Sequence, residues 1–306
     1  MKTCFLFPGQ GAQYSGMGRD FYETSAAVRE LFELASDASR IDLKTLLFQG
    51  SEEELKQTRN TQVAVALVGA AAALAAREHG LSPSGAAGFS VGEWPALAEA
   101  GVVGLADMFG LVAERGRLMD EAGKRSGGST MSAVLFLEPK AIEAAIASAG
   151  LKQVWIANYN SPTQSVISGT EADVAKAEEA IKAAGAKRVV RLKVSGAFHS
   201  PIMAYARDGF AERVQDVTFH DPKLAFFSNV TGKRLESGAE AKRFAVEQIV
   251  SPVRWIEEES AIKAAGFDQL LETGPGTVLA GLWKSVEGGA PCLAAGTLDQ
   301  IAAISL

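Results

Sequence analysis

Cysteine and histidine are scarce in this sequence: its 306 residues hold two of the first and three of the second. Cys4 and Cys292 stand far apart and in no metal-ligand spacing, which excludes a disulfide framework and a cysteine-rich zinc site and predicts reduced thiols in the cytoplasm. Excess positive charge is missing too. Thirty Lys and Arg against 36 Asp and Glu leave a formal net charge of −6, so there is no basis for the sequence-independent grip on nucleic acid that concentrated Lys and Arg provide. No apolar run reaches the roughly 20 residues of a membrane span. The longest, Val63 to Ala76, has 14 and reads as a buried helix. Met1-Lys2-Thr3, four apolar residues and then Pro8-Gly9-Gln10-Gly11 are too short for a signal-peptide core, so a protein that is not exported is expected.

What is present fits a folded enzyme-sized chain. A hydrophobic fraction of 47% and a charged fraction of 22% are ordinary for globular proteins, and the length allows one large domain or a domain with an inserted partner. Strand-like Thr3 to Phe7, the buried helix near 62 to 78, a short strand at Gly85 to Phe89 and a helix from about Val91 alternate as in an α/β fold with a parallel sheet. Further helices are predicted near 106 to 122, 201 to 214, 239 to 248 and 256 to 265, with strands near 223 to 227 and 269 to 272. Between them the rhythm changes to β-α-β-β-α-β, with strands at 132 to 137, 154 to 158, 165 to 168 and 187 to 194 and helices at 139 to 149 and 171 to 184. That is the ferredoxin-like pattern, flanked by loop-like Gly127-Gly128-Ser129 and Ser195-Gly196-Ala197. The predicted organisation is a discontinuous large α/β subdomain over 1–128 and 196–306, interrupted by a small subdomain over 129–195, with a ligand cleft between them.

Gly88-Phe89-Ser90-Val91-Gly92 fits the G-x-S-x-G nucleophile elbow. The glycines permit a sharp strand-to-helix turn, which lifts the serine oxygen over the sheet and aims backbone amides at one point where an oxyanion can develop. A serine nucleophile needs a base, usually histidine. His79 precedes Gly80 at the predicted end of the apolar helix, and His220 lies in a turn-like Thr-Phe-His-Asp-Pro. His199 lies where the small subdomain ends and the chain re-enters the large one, facing the predicted cleft. Position alone leaves a structural role for His199 open.

Taken together, these segments resemble the malonyl-CoA:acyl carrier protein transacylases and, more broadly, the acyltransferase domains of fatty acid and polyketide synthases. The resemblance spans nearly the whole chain. It rests on Phe7 to Gln13 (Phe-Pro-Gly-Gln-Gly-Ala-Gln), Thr61-Gln62, Gly88 to Trp94, Arg115-Gly116, Asn160-Ser161-Pro162, Ala197 to Ser200, Ser251 to Trp255 and Gly274-Pro275-Gly276. It implies Ser90 as nucleophile, His199 as general acid/base, the backbone amides of Gln10 and Val91 as oxyanion hole, and Arg115 as the anchor for the free carboxylate of malonate. It places Gln62 and Asn160 near the substrate and gives the orienting of His199 to a backbone carbonyl at Arg254. It also implies a hydrolase-like large subdomain with a ferredoxin-like insert, malonyl-CoA and acyl carrier protein as partners, and no metal, bound cofactor, nucleic acid or membrane. One position departs from the family pattern: Phe89 stands where a histidine is usual and offers no hydrogen bond.

Two other readings share the same residues. A serine thioesterase or acyl hydrolase uses the same elbow, but usually carries its histidine late in the chain, and here 107 residues follow His199. A weakly active, carrier-protein-binding homologue is the other. In Lys187 to Val194, alternation places Arg191 and Lys193 on one face and Val190, Leu192 and Val194 on the other. The apolar face is expected to be buried, and the basic one to be either solvated or turned toward an acidic carrier protein.

Overall fold

The structure, a computed structural model, describes residues 1–305. Its centre is strand β1 (Thr3–Phe7), in which all five side chains are buried. A strand covered on both faces needs helices above and below its sheet, the α/β condition. β2 (Pro83–Gly88) pairs with it in parallel, Phe7 opposite Gly88. The small sheet follows in the chain with β3 (Ser129–Leu135), β4 (Val154–Ser161), β5 (Gln164–Thr170) and β6 (Arg188–Arg191). β7 (Ala225–Ser228), β8 (Lys233–Leu235), β9 (Gln269–Glu272) and β10 (Cys292–Ala294) then complete the large one. Its order is β10-β9-β1-β2-β7-β8, parallel except for the β7–β8 hairpin at one edge.

The second sheet has the order β4-β5-β3-β6 with antiparallel neighbours. With the helices Pro139–Ser148 and Glu171–Ala183 it forms a β-α-β-β-α-β unit, ferredoxin-like in order and topology. It carries its own apolar cluster, including Val134, Ile142, Ile167, Val174 and Ile181. The fold is thus α/β, with a parallel sheet and a separate antiparallel one. The loop Ser251 to Trp255 stitches the two together, because Val253 exchanges backbone hydrogen bonds with β4: its N–H reaches the Ala157 carbonyl, and its own carbonyl accepts from Tyr159.

The predicted buried helix runs from Thr58 to Glu78, and every residue from Thr61 to Ala73 is buried. By length and composition it is long and apolar enough to cross a membrane, yet here neighbouring elements cover it. Four short or amphipathic helices before it, Arg19–Thr24, Ala26–Ser39, Leu43–Phe48 and Glu52–Lys56, are additions to the sequence-based picture, as are β8 and β10.

The helix Leu105–Arg125 runs into β3, and Ser195-Gly196 brings the chain back beside it. These two crossings touch at Gly123, where a Cβ would overlap the Ser195 carbonyl oxygen and lie 3.2 Å from the Gly196 Cα. Ala is the better helix former by about 1 kcal/mol. Backbone that cannot give way reverses the sign, so Gly123→Ala is expected to destabilise by about 1 to 3 kcal/mol, the usual cost of overpacking. Urea unfolding tests this, and a midpoint equal to or above wild type would show that the two crossings are not in close contact.

Candidate active site

β1 and β2 are the two central, parallel strands, and ligands in open α/β sheets bind beyond the carboxyl ends of such strands. The loop from Pro8 and the elbow from Phe89 leave these ends side by side. The turn is locked by backbone bonds from Phe89 N–H to the Phe7 carbonyl and from Gly92 N–H to the Phe89 carbonyl, both 2.9 Å. Gly88 packs so tightly on Gly92 that a Cβ would overlap the Gly92 carbonyl, so the spacing of the two glycines is a packing requirement. Ser90 sits between them at φ 53°, a left-handed conformation costing a non-glycine residue about 1 to 2 kcal/mol. A single 3₁₀ turn (Ser90–Gly92) then leads into the helix Glu93–Glu99.

Ser90 Oγ lies 2.7 Å from His199 Nε2. His199 is also left-handed, at φ 57°, and buried. Its Nδ1 lies 2.9 Å from the Gln248 carbonyl and 3.2 Å from that of Ser251. Two acceptors fix the hydrogen on Nδ1, leaving Nε2 bare to take the proton of Ser90 Oγ. The expected acceptor, the Arg254 carbonyl, is not used. It accepts from Glu258 N–H at the start of the helix Trp255–Ala264, and the chain's turn at Pro252 puts the Ser251 carbonyl before the ring instead. His79 and His220 are exposed, the first capping the Thr58–Glu78 helix, the second bonded through its amide to the Val102 carbonyl.

Arg115 is fully buried beneath the serine. Its Nη1 donates to Gln62 Oε1 at 2.6 Å, and its Nη2 to Gln248 Oε1 at 3.0 Å and, weakly, to Ser90 Oγ at 3.4 Å. Its Nε has no partner, and no carboxylate forms a salt bridge with it among the described residues. Burial lowers its pKa to about 10, with the nearby Glu93 opposing the shift, so the guanidinium stays charged at neutral pH. Glu93 in turn is raised to about 8 by burial, against hydrogen bonds from Gln248 and Asn229 and the pull of Arg115. The burial that favours protonation of Glu93 weakens the countercharge it offers the cation.

A cavity of about 190 Å³ opens over Ser90 and His199. Gln10, Val91 and Gln62 line it, with Asn158 and Asn160 of β4. Asn160 is buried and its Oδ1 has no partner among the described residues. Leu192 and Val194, from the predicted apolar face after β6, line the same space, while Arg191 turns away to Glu178. Within the elbow the Ser90 and Gly92 amides are already occupied, by Asn229 Oδ1 at 2.7 Å and by Phe89. Three buried residues were not foreseen: Gln248, Glu93 and Asn229. Glu93 had a visible signal, a charge three residues after the serine at the mouth of an apolar helix.

A half-buried serine in an elbow, paired with a buried histidine beside a cavity, defines a serine enzyme of acyl transfer. The acyl transferase domain family matches over residues 4–300, and the chain belongs to that family, among the malonyl CoA-acyl carrier protein transacylases. One such transacylase, from Bacillus subtilis, is 38% identical over 93% of this chain and 90% of its own length. The solved acyl carrier protein S-malonyltransferase of Vibrio cholerae superposes with a TM-score of 0.94 at 36% identity, over 100% of both chains. A type II polyketide synthase acyl carrier protein has been solved in complex with its malonyl-transacylase, and this match has a TM-score of 0.93 at 36% identity, covering 99% of this chain and 98% of that one.

The environment of His199 sets a pH dependence. Burial first, and then Arg115, push its pKa down to about 4, while the Gln248 and Ser251 carbonyls oppose the shift. The neutral, proton-accepting form therefore persists well below the ordinary histidine value of about 6.5. Single-turnover acylation by malonyl-CoA is expected to be flat from about pH 7 down to about pH 5.5 and to fall only on further acidification. An acid limb centred near pH 6.5 in folded protein would mean that the imidazole is not desolvated as described.

Proposed function

We propose that this enzyme transfers malonyl groups from malonyl-CoA to the phosphopantetheine thiol of acyl carrier protein, the supply step of fatty acid synthesis, through a malonyl ester on Ser90. The observation that carries the reading is the buried Arg115, charged and without a salt-bridged carboxylate among the described residues, a hydrogen-bond length from the serine. A site that keeps a desolvated cation waiting suits an acyl group that brings its own carboxylate. The relatives named malonyl transacylases support it, as does the homologous complex with a carrier protein.

In the first half-reaction His199 Nε2 takes the Ser90 proton as Oγ attacks the thioester carbonyl. The Gln10 and Val91 amides hold the oxyanion. Collapse of the tetrahedral intermediate breaks the C–S bond, and His199 returns the proton to the departing coenzyme A thiol. In the second half-reaction His199 deprotonates the carrier's thiol, which takes the malonyl group by the same path and leaves Ser90 free. Arg115, held by Gln62 and Gln248, pairs with the malonyl carboxylate, and Asn160 offers its unpartnered amide to the acyl chain. We further infer that 129–195 is a subdomain inserted between 1–128 and 196–306, and that the protein works in the cytoplasm, where its two free cysteines remain reduced.

Incubation with malonyl-CoA is expected to add one malonyl group to Ser90, and Ser90→Ala to abolish the label. Peptide mass spectrometry decides, and equal labelling of the Ala variant would remove Ser90 from the mechanism.

Specificity rests on Arg115. Leaving such a buried cation unpaired, as acetyl would, costs about 2 to 5 kcal/mol. At about 1.4 kcal/mol per factor of ten this is a preference for malonyl over acetyl of roughly 30-fold to several thousand-fold. Arg115→Ala is expected to lower kcat/KM for malonyl-CoA strongly while sparing or raising that for acetyl-CoA. Arg115→Lys recovers little, because a point charge does not reproduce two parallel N–H bonds. An unchanged malonyl-to-acetyl ratio in Arg115→Ala would show that the acyl carboxylate is read elsewhere.

A further inference from the structure

Under the elbow lies a buried side chain that does not reach the cavity yet touches the serine's own backbone. Asn229 follows β7, the strand beside β2, and is fully buried. Its Oδ1 accepts the Ser90 N–H at 2.7 Å and Gln248 Nε2 at 3.3 Å. Its Nδ2 donates to the Gly88 carbonyl at 2.7 Å and to Glu258 Oε2 at 2.8 Å. The backbone is committed as well: its N–H points to Glu93 Oε2 at 3.3 Å, and its carbonyl accepts Arg254 N–H at 2.9 Å. One carboxamide therefore spans the turn from residue 88 to residue 90, a donor on one arm and an acceptor on the other. Its orientation is forced, since acceptors alone face Nδ2 and donors alone face Oδ1.

We propose that Asn229 is a positioning residue for the nucleophile: its carboxamide holds Ser90 in the left-handed conformation that aims Oγ at His199, and it occupies the Ser90 amide so that Val91's is the one offered to the oxyanion. Glu258 fixes the carboxamide from behind. The strain at Ser90 persists only where surrounding structure over-determines it, and Asn229 supplies two of the bonds that do so. Burial, together with the proximity of Glu93 and Glu259, raises the pKa of Glu258, which is fully buried and has one oxygen without a partner among the described residues. Glutamine has the shape of Glu258 and adds N–H donors, which makes the pair open to a swap of hydrogen-bond polarity.

The proposal rests on Ser90 being the acylated residue, so peptide mapping of the wild-type label comes first; absence of label on Ser90 would fail that assignment, and the variants below are read only against a labelled wild type. In Asn229→Ala, single-turnover malonylation is expected to slow by about 10- to 100-fold, the scale of a small misplacement of a reacting group. Malonyl-CoA affinity, measured by calorimetry in a Ser90→Ala background with and without Asn229→Ala, is expected to move by less than about threefold, because Asn229 does not touch the cavity. Asn229→Asp keeps the acceptor for Ser90 N–H but presents only oxygens to Gly88 and Glu258, and is expected to slow the reaction likewise. Combining it with Glu258→Gln supplies a donor on the opposite side, and the double variant is expected to be about fivefold or more faster than Asn229→Asp alone. A folded Asn229→Ala that acylates within about twofold of wild type overturns the proposal. So does a loss of affinity in proportion to rate, or a double variant no faster than Asn229→Asp. If Asn229→Ala does not fold, the comparison of Asn229→Asp with the double variant decides alone.

Discussion

A buried cation in salt-bridge contact with no carboxylate among the described residues is the constraint around which this interior is arranged. Moving a guanidinium out of water costs several kcal/mol even after relaxation, and Arg115 recovers part of that through hydrogen bonds to neutral oxygens from Gln62, Gln248 and Ser90. Those partners come from the Thr58–Glu78 helix, the elbow and the segment after the helix Gly238–Glu247, so satisfying one side chain pulls three distant parts of the chain together. The same cation acts on its neighbours. It helps depress His199 toward the neutral form, and it opposes the protonation of Glu93 that burial favours. One placement of charge thus bears on the protonation of two groups beside the serine.

Gln248 is where these demands meet. Its side-chain oxygen accepts from Arg115, and its side-chain nitrogen donates to the Ser90 carbonyl and to Glu93. Its backbone carbonyl accepts from His199 Nδ1. A single residue therefore links the buried Arg115, the elbow and the orientation of the imidazole. This explains how a backbone carbonyl serves where other serine enzymes place an aspartate: the carbonyl fixes the tautomer, and its own position is fixed by side-chain bonds of the same residue. Both Ser90 and His199 occupy left-handed backbone conformations, and each is held at several atoms, as stored strain requires.

What the sequence discloses is what is local. The elbow follows from glycine spacing and a strand beside it, and the small sheet from a β-α-β-β-α-β rhythm that the structure reproduces, because both depend on neighbours within a few residues or on periodicity. The capping box of Ser51 and Glu54 shows that one of the unforeseen early helices was also marked, though by two residues rather than by a periodic run. Gln248 and Asn229 are different. They meet Ser90 across 158 and 139 residues, respectively, and neither composition nor period marks a buried amide as a bridge. The histidine acceptor fails for the same reason: Ser251 to Trp255 is visible as a motif, but which of its carbonyls faces the ring depends on how Val253 is pinned to β4.

Phe89 shows how far backbone and side chain can be separated at such a site. The bonds that shape the turn at this position are made by its N–H and carbonyl, to Phe7 and Gly92, and are available to any residue. Its ring stacks edge-on against Trp255 at 5.4 Å and joins the apolar cluster of Phe227, Val253 and Leu282. The polar work under the serine is meanwhile done from the other side, by Asn229 and Gln248. The position before the nucleophile is therefore free to exchange a hydrogen-bonding ring for an apolar one without loosening the elbow. The consequence falls on the cavity, where Phe89 and Leu282 add apolar surface to a lining whose polar side chains include Gln62 and Asn160.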